Sequence, residues 1–341
     1  MGRTIEIKVA DSNISRIVLT GVESGLSELL PARRVIIITD SEVARLYRDI
    51  VGRYDYIVIG TGETTKTLAT AEDIYRKLLA LGADRDCFLL GFGGGIVTDI
   101  TGFVAATFMR GVRFGFAAST LLSQIDAAIG GKNGVNLDGN KNIVGTFRQP
   151  EFVICDPELL KTLPIREFRA GLAEIIKAAI IGDLHLFEML ESANPAELNA
   201  EWQQLPDAIE CAIKVKTTIV EFDEYESCER RKLNLGHTFA HAIEKLDPSF
   251  NHGEAVATGI CMAAKAAEKL SLLSVADTHR IRNTIAATGL PTETAIDKNS
   301  LLDAIRHDKK VSGSDIHLIL PTAIGACEVK KMPLEELKRL I

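Results

Sequence analysis

The first half of the chain alternates short β-branched runs with helical patterns, and this alternation limits the possible fold more than any other feature. Consecutive parallel strands need a crossover between them, usually a helix, so the pattern predicts a mostly parallel sheet. Helical patterns include Ser41–Ile50 and Leu68–Leu81, and Gly82 follows the second where a C-terminal cap is expected. The expected strands are Thr4–Val9, Val35–Thr39, Tyr56–Ile59, Phe88–Phe92, Phe114–Ala118 and Phe152–Cys155. We therefore predict an α/β domain over residues 1–157.

After residue 157 the β-branched runs almost disappear and long helical patterns follow. A small hairpin of Ile316–Leu320 with Ala326–Val329 is expected before a final helix from about Pro333. The predicted helices are Arg166–Ile181, Ala208–Phe222, Glu229–Leu246, Gly253–Leu270 and Val275–Thr288. A chain of 341 residues is long enough for two domains, so residues 158–341 are predicted to form a second, mainly α-helical domain.

Three consecutive glycines, Gly93 to Gly95, directly follow one predicted strand. Their missing side chains let backbone N–H groups approach a phosphate at the start of a helix. Ligands of parallel sheets collect at the carboxyl ends of the strands, so the turn indicates a nucleotide site. The G-x-G-x-x-G fingerprint is not met, because Ile96 occupies the place of its third glycine. A tight strand-to-helix turn without a ligand is the alternative.

Glycines and cations are interleaved further along the same half. Gly130-Gly131-Lys132 is followed by Lys141-Asn142, and Arg110 lies upstream, a combination that suits an anionic ligand. Asp126 lies in an otherwise apolar stretch, where its charge costs free energy unless a partner compensates. Asp126 is therefore a candidate catalytic residue.

The helical half contains a candidate metal site. His237 and His241 are four residues apart on a predicted helix and share one face, and His252 starts the next predicted helix. With a helical carboxylate, Glu174, two imidazoles would make an open metal site that leaves positions for substrate oxygens. Spacing does not decide which two histidines bind, and a structural or surface histidine pair remains the alternative.

Further polar residues lie on the predicted helices of this half. Lys177 shares a face with Glu174 and either contacts a substrate oxygen beside the metal or simply pairs with Glu174. Lys216 lies on the preceding helical pattern. A polar stripe with spacings of four, three and four residues faces either a ligand or solvent. The stripe comprises Arg230, Asn234, His237 and His241.

Composition excludes several classes of function. The net charge of -7 argues against nucleic acid as the main partner, so the cations must act locally. The N-terminus lacks a signal-peptide pattern and no run approaches the roughly 18 apolar residues of a membrane span, so we expect no membrane partner and a cytoplasmic location. The six cysteines lie far apart and form no C-x-x-C pair, so the sequence suggests neither a disulfide framework nor a thiolate zinc site.

Seen together, these segments resemble the 3-dehydroquinate synthase family, whose members are sugar-phosphate cyclases of the shikimate pathway that leads to chorismate and the aromatic amino acids. The resemblance covers nearly the whole chain. The matching segments are GETTK (62–66), GGGIVTDITGFVAATFMRGV (93–112), TLLSQIDAAIGGKNGVN (120–136), KNIVGTFRQP (141–150), TLPIREF (162–168), AGLAEIIKAAI (170–180), RRKLNLGHTFAHAIE (230–244) and HGEAV (252–256).

The resemblance implies residue roles at the matching positions. It implies a zinc or cobalt ion bound by Glu174, His237 and His252. It implies NAD bound along Asp40, Glu63, Lys66, Gly94, Gly95, Asp99, Ser119, Thr120, Lys132, Lys141 and Thr162. It implies a sugar-phosphate substrate held by Lys132, Lys141, Asn142, Lys177, Lys216, Arg230, Asn234, His241 and either Lys309 or Lys310, with Arg110 reaching the neighbouring site of a homodimer. The implied catalytic residues are Asp126, Lys132, Lys177, Lys216, Arg230, Asn234 and His241.

The implied reaction converts 3-deoxy-D-arabino-heptulosonate 7-phosphate to 3-dehydroquinate and phosphate, with NAD reduced and reoxidised in each cycle. Two positions depart from the family pattern and bear on cofactor affinity rather than on the reaction. Ser119 stands in Ala118-Ser119-Thr120 where Pro-Thr-Thr is usual, and keeps a hydroxyl, while Asn133 stands where threonine is usual.

Three other functions are consistent with parts of the pattern. Another sugar-phosphate cyclase would be expected to differ at Asn234 and His241, because its substrate has no carboxylate. A metal-dependent polyol dehydrogenase would release NADH, which a cyclase retains. A non-catalytic metabolite-binding protein would not need the complete set of metal ligands and cations.

Overall fold

The computed structural model describes residues 2–8, 14–306, 311–312 and 315–340. The chain divides into two compact units, Met1–Leu163 and Pro164–Ile341, so the division lies a few residues beyond the predicted position after residue 157. Within the described ranges, no helix is both long enough and apolar enough to cross a membrane.

The first unit is built on a seven-stranded sheet in the order β1-β2-β9-β6-β5-β3-β4. All neighbouring strands are parallel except the antiparallel pair β1 and β2, which confirms the predicted mostly parallel sheet. The chain also forms a separate antiparallel hairpin, β7 and β8. The strands are β1 Arg3–Lys8, β2 Ile14–Leu19, β3 Val35–Asp40, β4 Asp55–Ile59, β5 Phe88–Gly93, β6 Arg113–Ala118, β7 Lys132–Leu137, β8 Asn140–Phe147 and β9 Phe152–Cys155.

Helices connect these strands and cover the sheet. They are α1 Val22–Leu29, α2 Ser41–Leu46, α3 Arg48–Val51, α4 Leu68–Ala80 and α5 Gly95–Thr107. The predicted helix Ser41–Ile50 is two short helices, because Tyr47 between them leaves the helical conformation. Apolar side chains of the central strands, such as Ile37, Leu90 and Phe92, form the core. Neither β2 nor the β7–β8 hairpin was predicted.

The second unit is mainly helical, as predicted, with a three-stranded sheet in the order β10-β11-β12. Its helices are α6 Ile165–Gly182, α7 Leu184–Ser192, α8 Leu205–Phe222, α9 His237–Leu246, α10 His252–Lys269, α11 Val275–Ala287, α12 Lys298–Arg306 and α13 Leu334–Leu340. Its strands are β10 Val311–Ser312, β11 Asp315–Ala323 and β12 Ala326–Pro333. The predicted hairpin (β11 and β12) and the final helix (α13) are confirmed, whereas α7 and α12 were not predicted.

The predicted helix Glu229–Leu246 is wrong. A short 3₁₀ turn covers Glu229–Asn234, and α9 begins only at His237. Gly236 separates the two with φ +78, a left-handed conformation that side chains resist. A Cβ on Gly236 would also lie 2.8 Å from the backbone nitrogen of Ile260 in α10. The four-residue polar stripe is therefore divided between two elements.

Candidate active site

Three candidate metal ligands meet in the helical unit. Glu174 lies on α6, His237 is the first residue of α9, and His252 is the first residue of α10. Glu174 Oε1 lies 3.5 Å from His252 Nε2 and 3.8 Å from His237 Nε2. One ligand atom from each residue lies within 4.8 Å of the others. The geometry thus brings together the set that the resemblance implied.

Hydrogen bonds on the far side of each imidazole fix which nitrogen faces Glu174. His237 Nδ1 lies 3.1 Å from the carbonyl oxygen of Leu235, and His252 Nδ1 lies 3.4 Å from Glu244 Oε1. When each Nδ1 donates, each Nε2 keeps a lone pair for a metal. Glu244 was not identified from the sequence, although it lies two turns after His237 on the same helical face.

The surroundings of His252 are strongly anionic. Burial lowers the pKa of its imidazole, but interactions with Glu174 and then with Glu244 raise it from 6.5 to about 9. Two carboxylates around one imidazole therefore favour a positive charge at this place. A divalent cation supplies such a charge.

The carboxylate of Glu174 fits a metal for a second reason. Its side chain is 2% exposed, and among the residues that the structure describes none donates a well-aligned hydrogen bond to either oxygen. Lys177, one turn later on α6, forms an ion pair with Oε2, while Oε1 faces the two imidazoles. A buried acceptor of this kind is costly unless a cation completes it. Two imidazoles and one carboxylate are donors that suit zinc or cobalt.

Glycines allow the three helices to approach closely enough to form this cluster. A Cβ on Gly253, next to His252, would overlap the backbone of Ala170 on α6. A Cβ on Gly259 of α10 would overlap the carbonyl oxygen of Gly236 before α9. The spacing of the ligands therefore depends on backbone-to-backbone packing around α10.

Other predicted substrate residues of this unit lie near the cluster or on its elements. His241 stacks edge-on against His237, with ring centroids 5.8 Å apart. Lys177 and Lys216 are both buried, on α6 and α8. Fully buried lysines are rare in structural cores, and Lys177 is paired with Glu174, so both lysines suit a site that binds an anionic ligand.

Arg230 and Asn234 are positioned by a loop that begins at Asp223. Asp223 Oδ1 accepts hydrogen bonds from the amide (2.8 Å) and hydroxyl (2.9 Å) of Ser227, and Oδ2 from the amides of Cys228 (2.7 Å) and Arg230 (3.0 Å). The Arg230 guanidinium is 2% exposed and donates to the carbonyl oxygen of Glu224. Asp223 therefore fixes the backbone from which Arg230 extends.

Within the same loop, Glu226 has φ +61 and accepts a hydrogen bond of 2.6 Å from Asn234 Nδ2. A positive φ at a residue other than glycine is strained, and such strain is common at functional sites. Sequence reasoning missed Glu226, because nothing in its spacing to Asn234 predicts a contact across a loop.

In the first unit, the glycine turn joins β5 to α5. β5 ends at Gly93 and α5 begins at Gly95, and in the described part of the chain no side chain caps this helix. A Cβ on Gly93 would lie 2.5 Å from Val97 Cγ2, and one on Gly94 would lie 3.0 Å from Thr120 Cγ2. The turn therefore places uncapped N–H groups beside Thr120, as a nucleotide phosphate requires.

Three other predicted cofactor residues lie at the ends of elements of the same unit. Asp40 Oδ1 caps α2 by accepting hydrogen bonds from the amides of Glu42 and Val43, both 2.9 Å. The hydroxyl of Thr162 lies 2.9 Å from that of Tyr47, and the amide of Ser119 donates to the carbonyl oxygen of Gly93 over 2.9 Å. Asp40 and Ser119 thus lie at the carboxyl ends of strands, where the pattern predicted a crevice.

Five polar side chains of this unit form one hydrogen-bonded network. Lys66 Nζ pairs with Asp99 on α5 and donates to Asn142 Oδ1 over 2.6 Å. Asn136 Nδ2 donates to Glu63 Oε1 over 2.7 Å, and Asn136 Oδ1 accepts from the amide of Asn142 over 2.9 Å. Asn136 was not among the predicted site residues. The network connects predicted cofactor residues to a predicted substrate residue.

The remaining predicted residues are more exposed. Asp126 is half-buried on a single π-helical turn, Ser123–Ala127. Lys132 and Lys141 are exposed on the β7–β8 hairpin. Arg110 is exposed at a corner where Met109, Arg110 and Gly111 all have positive φ. Lys309 and Lys310 lie outside the described residues.

Comparisons with known proteins decide the family. Models of the N-terminal and C-terminal domains of 3-dehydroquinate synthase match residues 56–170 and 171–311. The chain belongs to the 3-dehydroquinate synthase family. It is 44% identical over 316 residues to 3-dehydroquinate synthase of Colwellia psychrerythraea, covering 89% of each chain. It is 40% identical over 336 residues to that of Natranaerobius thermophilus, covering 93% of this chain and 91% of the relative.

The fold of this chain is also similar to that of a solved structure. The chain is similar to 2-epi-5-epi-valiolone synthase from Streptomyces hygroscopicus subsp. jinggangensis 5008, a structure with NAD+ and Zn2+ bound. The TM-score is 0.86 at 27% identity, over 95% of this chain and 94% of the other.

The departure at Asn133 from the family pattern has a structural explanation. Asn133 Nδ2 donates to the carbonyl oxygens of Gly131 and Arg148, both 2.9 Å. Its side chain lies where a Cβ on Gly102 would be, so the asparagine fits only because α5 has glycine there. Asn133 thereby holds the turn that carries Lys132.

Proposed function

We propose that this chain is a 3-dehydroquinate synthase, a carbon–oxygen lyase that converts 3-deoxy-D-arabino-heptulosonate 7-phosphate to 3-dehydroquinate and phosphate. The observation that carries the proposal is the cluster of Glu174, His237 and His252, with buried cations in the same unit, in a chain that is about 40% identical to enzymes of that name.

Glu174, His237 and His252 would hold the metal, and Gly94 and Gly95 would present backbone N–H groups to the NAD pyrophosphate. The bound metal would supply Lewis-acid polarisation of the carbon 5 hydroxyl, and NAD would supply a reversible acceptor for the carbon 5 hydride. A ketone at carbon 5 would acidify the proton on carbon 6, and the departing phosphate would take that proton as it leaves by elimination. Ring opening and an internal aldol closure then give the product.

The protein's own residues would bind and orient the anionic substrate. Arg230 and Lys216 are buried cations, and each is expected to meet the substrate carboxylate or phosphate. Lys177, paired with Glu174, would place an ammonium group beside the polarised hydroxyl. Asn234 and His241 would supply hydrogen-bonding groups that suit a substrate carboxylate.

The dimer proposed from the resemblance gives Arg110 a role. Met109 and Arg110 have φ values of 48 and 66, and strain of this kind costs about 1–3 kcal/mol per residue. An exposed arginine held by a strained corner is well placed to reach a partner's site. Mixing Arg110→Ala subunits with Lys177→Met subunits should restore activity, because one site of each mixed dimer would be intact. No recovery would contradict a shared site.

The central experiment incubates the metal-loaded protein with the heptulosonate phosphate and catalytic NAD. Phosphate and dehydroquinate should appear one to one, without NADH accumulating in solution. With a carbon-linked phosphonate analogue that cannot be eliminated, any NADH absorbance should stay stoichiometric with enzyme, because the cofactor is retained. Continuous release of NADH would instead indicate a polyol dehydrogenase, and the proposal would be abandoned.

A second cyclase activity is the nearest alternative, because 2-epi-5-epi-valiolone synthase has the same fold. The presence of Asn234 and His241 favours a substrate with a carboxylate. A cyclitol product from a heptulose phosphate without a carboxylate, at a rate above that with the heptulosonate phosphate, would favour the alternative.

A further inference from the structure

Asn136 lies at an irregular point of the β7–β8 hairpin. The pairing of the two strands shifts register between Val135 and Leu137, so Asn136 leaves the regular ladder. Its amide donates instead to the carbonyl oxygen of Lys66 over 2.8 Å, and it forms a parallel bridge with Thr67. Irregularities of this kind redirect a side chain, often next to an active site.

The redirected side chain of Asn136 joins Glu63 to Asn142, two residues that are far apart in sequence. Its Nδ2 donates to Glu63 Oε1 over 2.7 Å, and its Oδ1 accepts from the amide of Asn142 over 2.9 Å. Lys66 makes a second connection from the same segment to Asn142, because its Nζ donates to Asn142 Oδ1. The same ammonium group is also paired with Asp99 on α5. The two connections close a ring of hydrogen bonds.

This ring constrains the backbone of Asn142. Its φ is +53, a conformation that asparagine tolerates but does not prefer. The amide of Asn142 donates to Asn136 Oδ1, and the side-chain Oδ1 of Asn142 accepts from Lys66 Nζ. Because Asn136 is itself bonded to Glu63, both contacts lead to the Glu63–Lys66 segment. The position of Asn142 therefore depends on the order of that segment.

Only asparagine satisfies both ends of the bridge at this length. The Glu63 carboxylate requires a donor, and the Asn142 amide requires an acceptor. Aspartate would place a second carboxylate against Glu63, and serine is too short to reach both partners. The chemistry of the residue thus matches a connecting role.

We infer that Asn136 is a positioning residue that couples NAD binding at Glu63 and Lys66 to substrate binding at Asn142. This inference rests on the proposed function. Order imposed on the Glu63–Lys66 segment by NAD passes through Asn136 to Asn142 and tightens substrate binding. Reciprocity requires that the substrate tighten NAD binding by the same factor.

The test measures the dissociation constant of NAD by calorimetry with and without the phosphonate analogue. The wild-type protein should show a coupling factor in the usual range, about 5- to 150-fold. Asn136→Asp should reduce the factor towards one. Asn140→Asp is the matched control, because Asn140 lies in the same hairpin and makes only a local bond of 3.3 Å to Asp138. The control should keep the wild-type factor.

A reversed pair separates coupling from simple damage. In Glu63→Gln with Asn136→Asp, the new amide at 63 can donate to the new carboxylate at 136, which still accepts from Asn142. This double variant should recover most of the coupling factor lost in the single variant, even if NAD binds more weakly. If Asn136→Asp does not fold, Asn136→Ser removes the bridge to Glu63 without adding charge and should lower the factor in the same way.

A wild-type factor of one, an unchanged factor in Asn136→Asp, or no recovery in the double variant would overturn the inference. These results remain separate from the proposed function, because turnover of the wild-type protein to phosphate and dehydroquinate tests that alone.

Discussion

Replacing Asp223 with alanine should destabilise the helical unit and disable the loop that carries Arg230. The carboxylate is 6% exposed and accepts four hydrogen bonds, three of them from backbone amides. Burial raises the pKa of Asp223, but these bonds outweigh burial and hold the pKa well below its usual 3.8. The folded state therefore depends on the ionised form.

The size of the effect follows from these bonds. Each hydrogen bond to a charged group contributes about 1.5–3 kcal/mol, but such contributions are not additive and some freed amides can reach water. We expect Asp223→Ala to lower the free energy of unfolding by about 3–5 kcal/mol. Asp223→Asn keeps one acceptor oxygen, so its loss should be about half of that.

Trp202 provides the assay. It is the only tryptophan of the chain and is buried in the helical unit, so its fluorescence in urea follows that unit. Asp247 is a matched control: it also follows a helix, and it accepts only two hydrogen bonds, both from Ser249. Asp247→Ala should shift the urea midpoint clearly less. The kcat/KM of Asp223→Ala should also fall, because Arg230 loses its anchor.

The pH dependence gives an independent check with a defined sign. Because the pKa of Asp223 is depressed in the folded state, its contribution is complete well above the unfolded value of 3.8 and is lost progressively as pH falls from 3.8 through the lower folded value. The stability difference between wild type and Asp223→Ala should therefore be constant from pH 7 to about pH 5 and shrink below pH 4. Equal midpoint shifts for Asp223→Ala and Asp247→Ala, or a stability difference that does not shrink between pH 5 and about pH 3, would refute this reasoning.

Three further predictions concern the site. Chelation should abolish turnover, and His237→Ala or His252→Ala should lower the bound zinc far more than His241→Ala. Equal loss of zinc in all three variants would contradict the ligand assignment. Arg230→Met should reduce kcat/KM by a factor equivalent to about 2–4 kcal/mol with little change in NAD affinity, because Arg230 is a buried cation, whereas loss of NAD binding with normal analogue binding would place Arg230 in the cofactor site. Gly253→Ala should separate α10 from α6, lowering zinc content and costing about 1–3 kcal/mol of stability, and unchanged metal affinity would contradict that packing role.

The fold was largely predictable because strand alternation and helical periodicity are local signals. The β7–β8 hairpin escaped prediction because its second strand is mostly exposed and polar, without the alternation that marks a half-buried strand. The break at Gly236 escaped because the helical pattern continues through it. Its left-handed turn is set by contact with α10, which no local pattern reveals.

The site was predictable in its residue types but not in its connections. Residue spacing identified Glu174 and three histidines, and the resemblance selected His237 and His252 among them. Glu244 and Asn136 act through other side chains, so they carry no motif of their own and become visible only when their partners are placed. The assignment of individual residues to NAD or substrate stays a prediction.

The candidate metal ligands come from three helices, and Glu174 on α6 is distant along the chain from the two histidines on the consecutive helices α9 and α10. An ion held by all three helices would act as a reversible cross-link. It would stabilise the folded unit, because only the folded chain brings the three ligands together. Metal supply would then regulate the lifetime of the protein as well as its activity. We expect metal-depleted protein to melt at a lower temperature and to be cleaved first by proteases between α6 and α10, with protection rising with the concentration of free zinc.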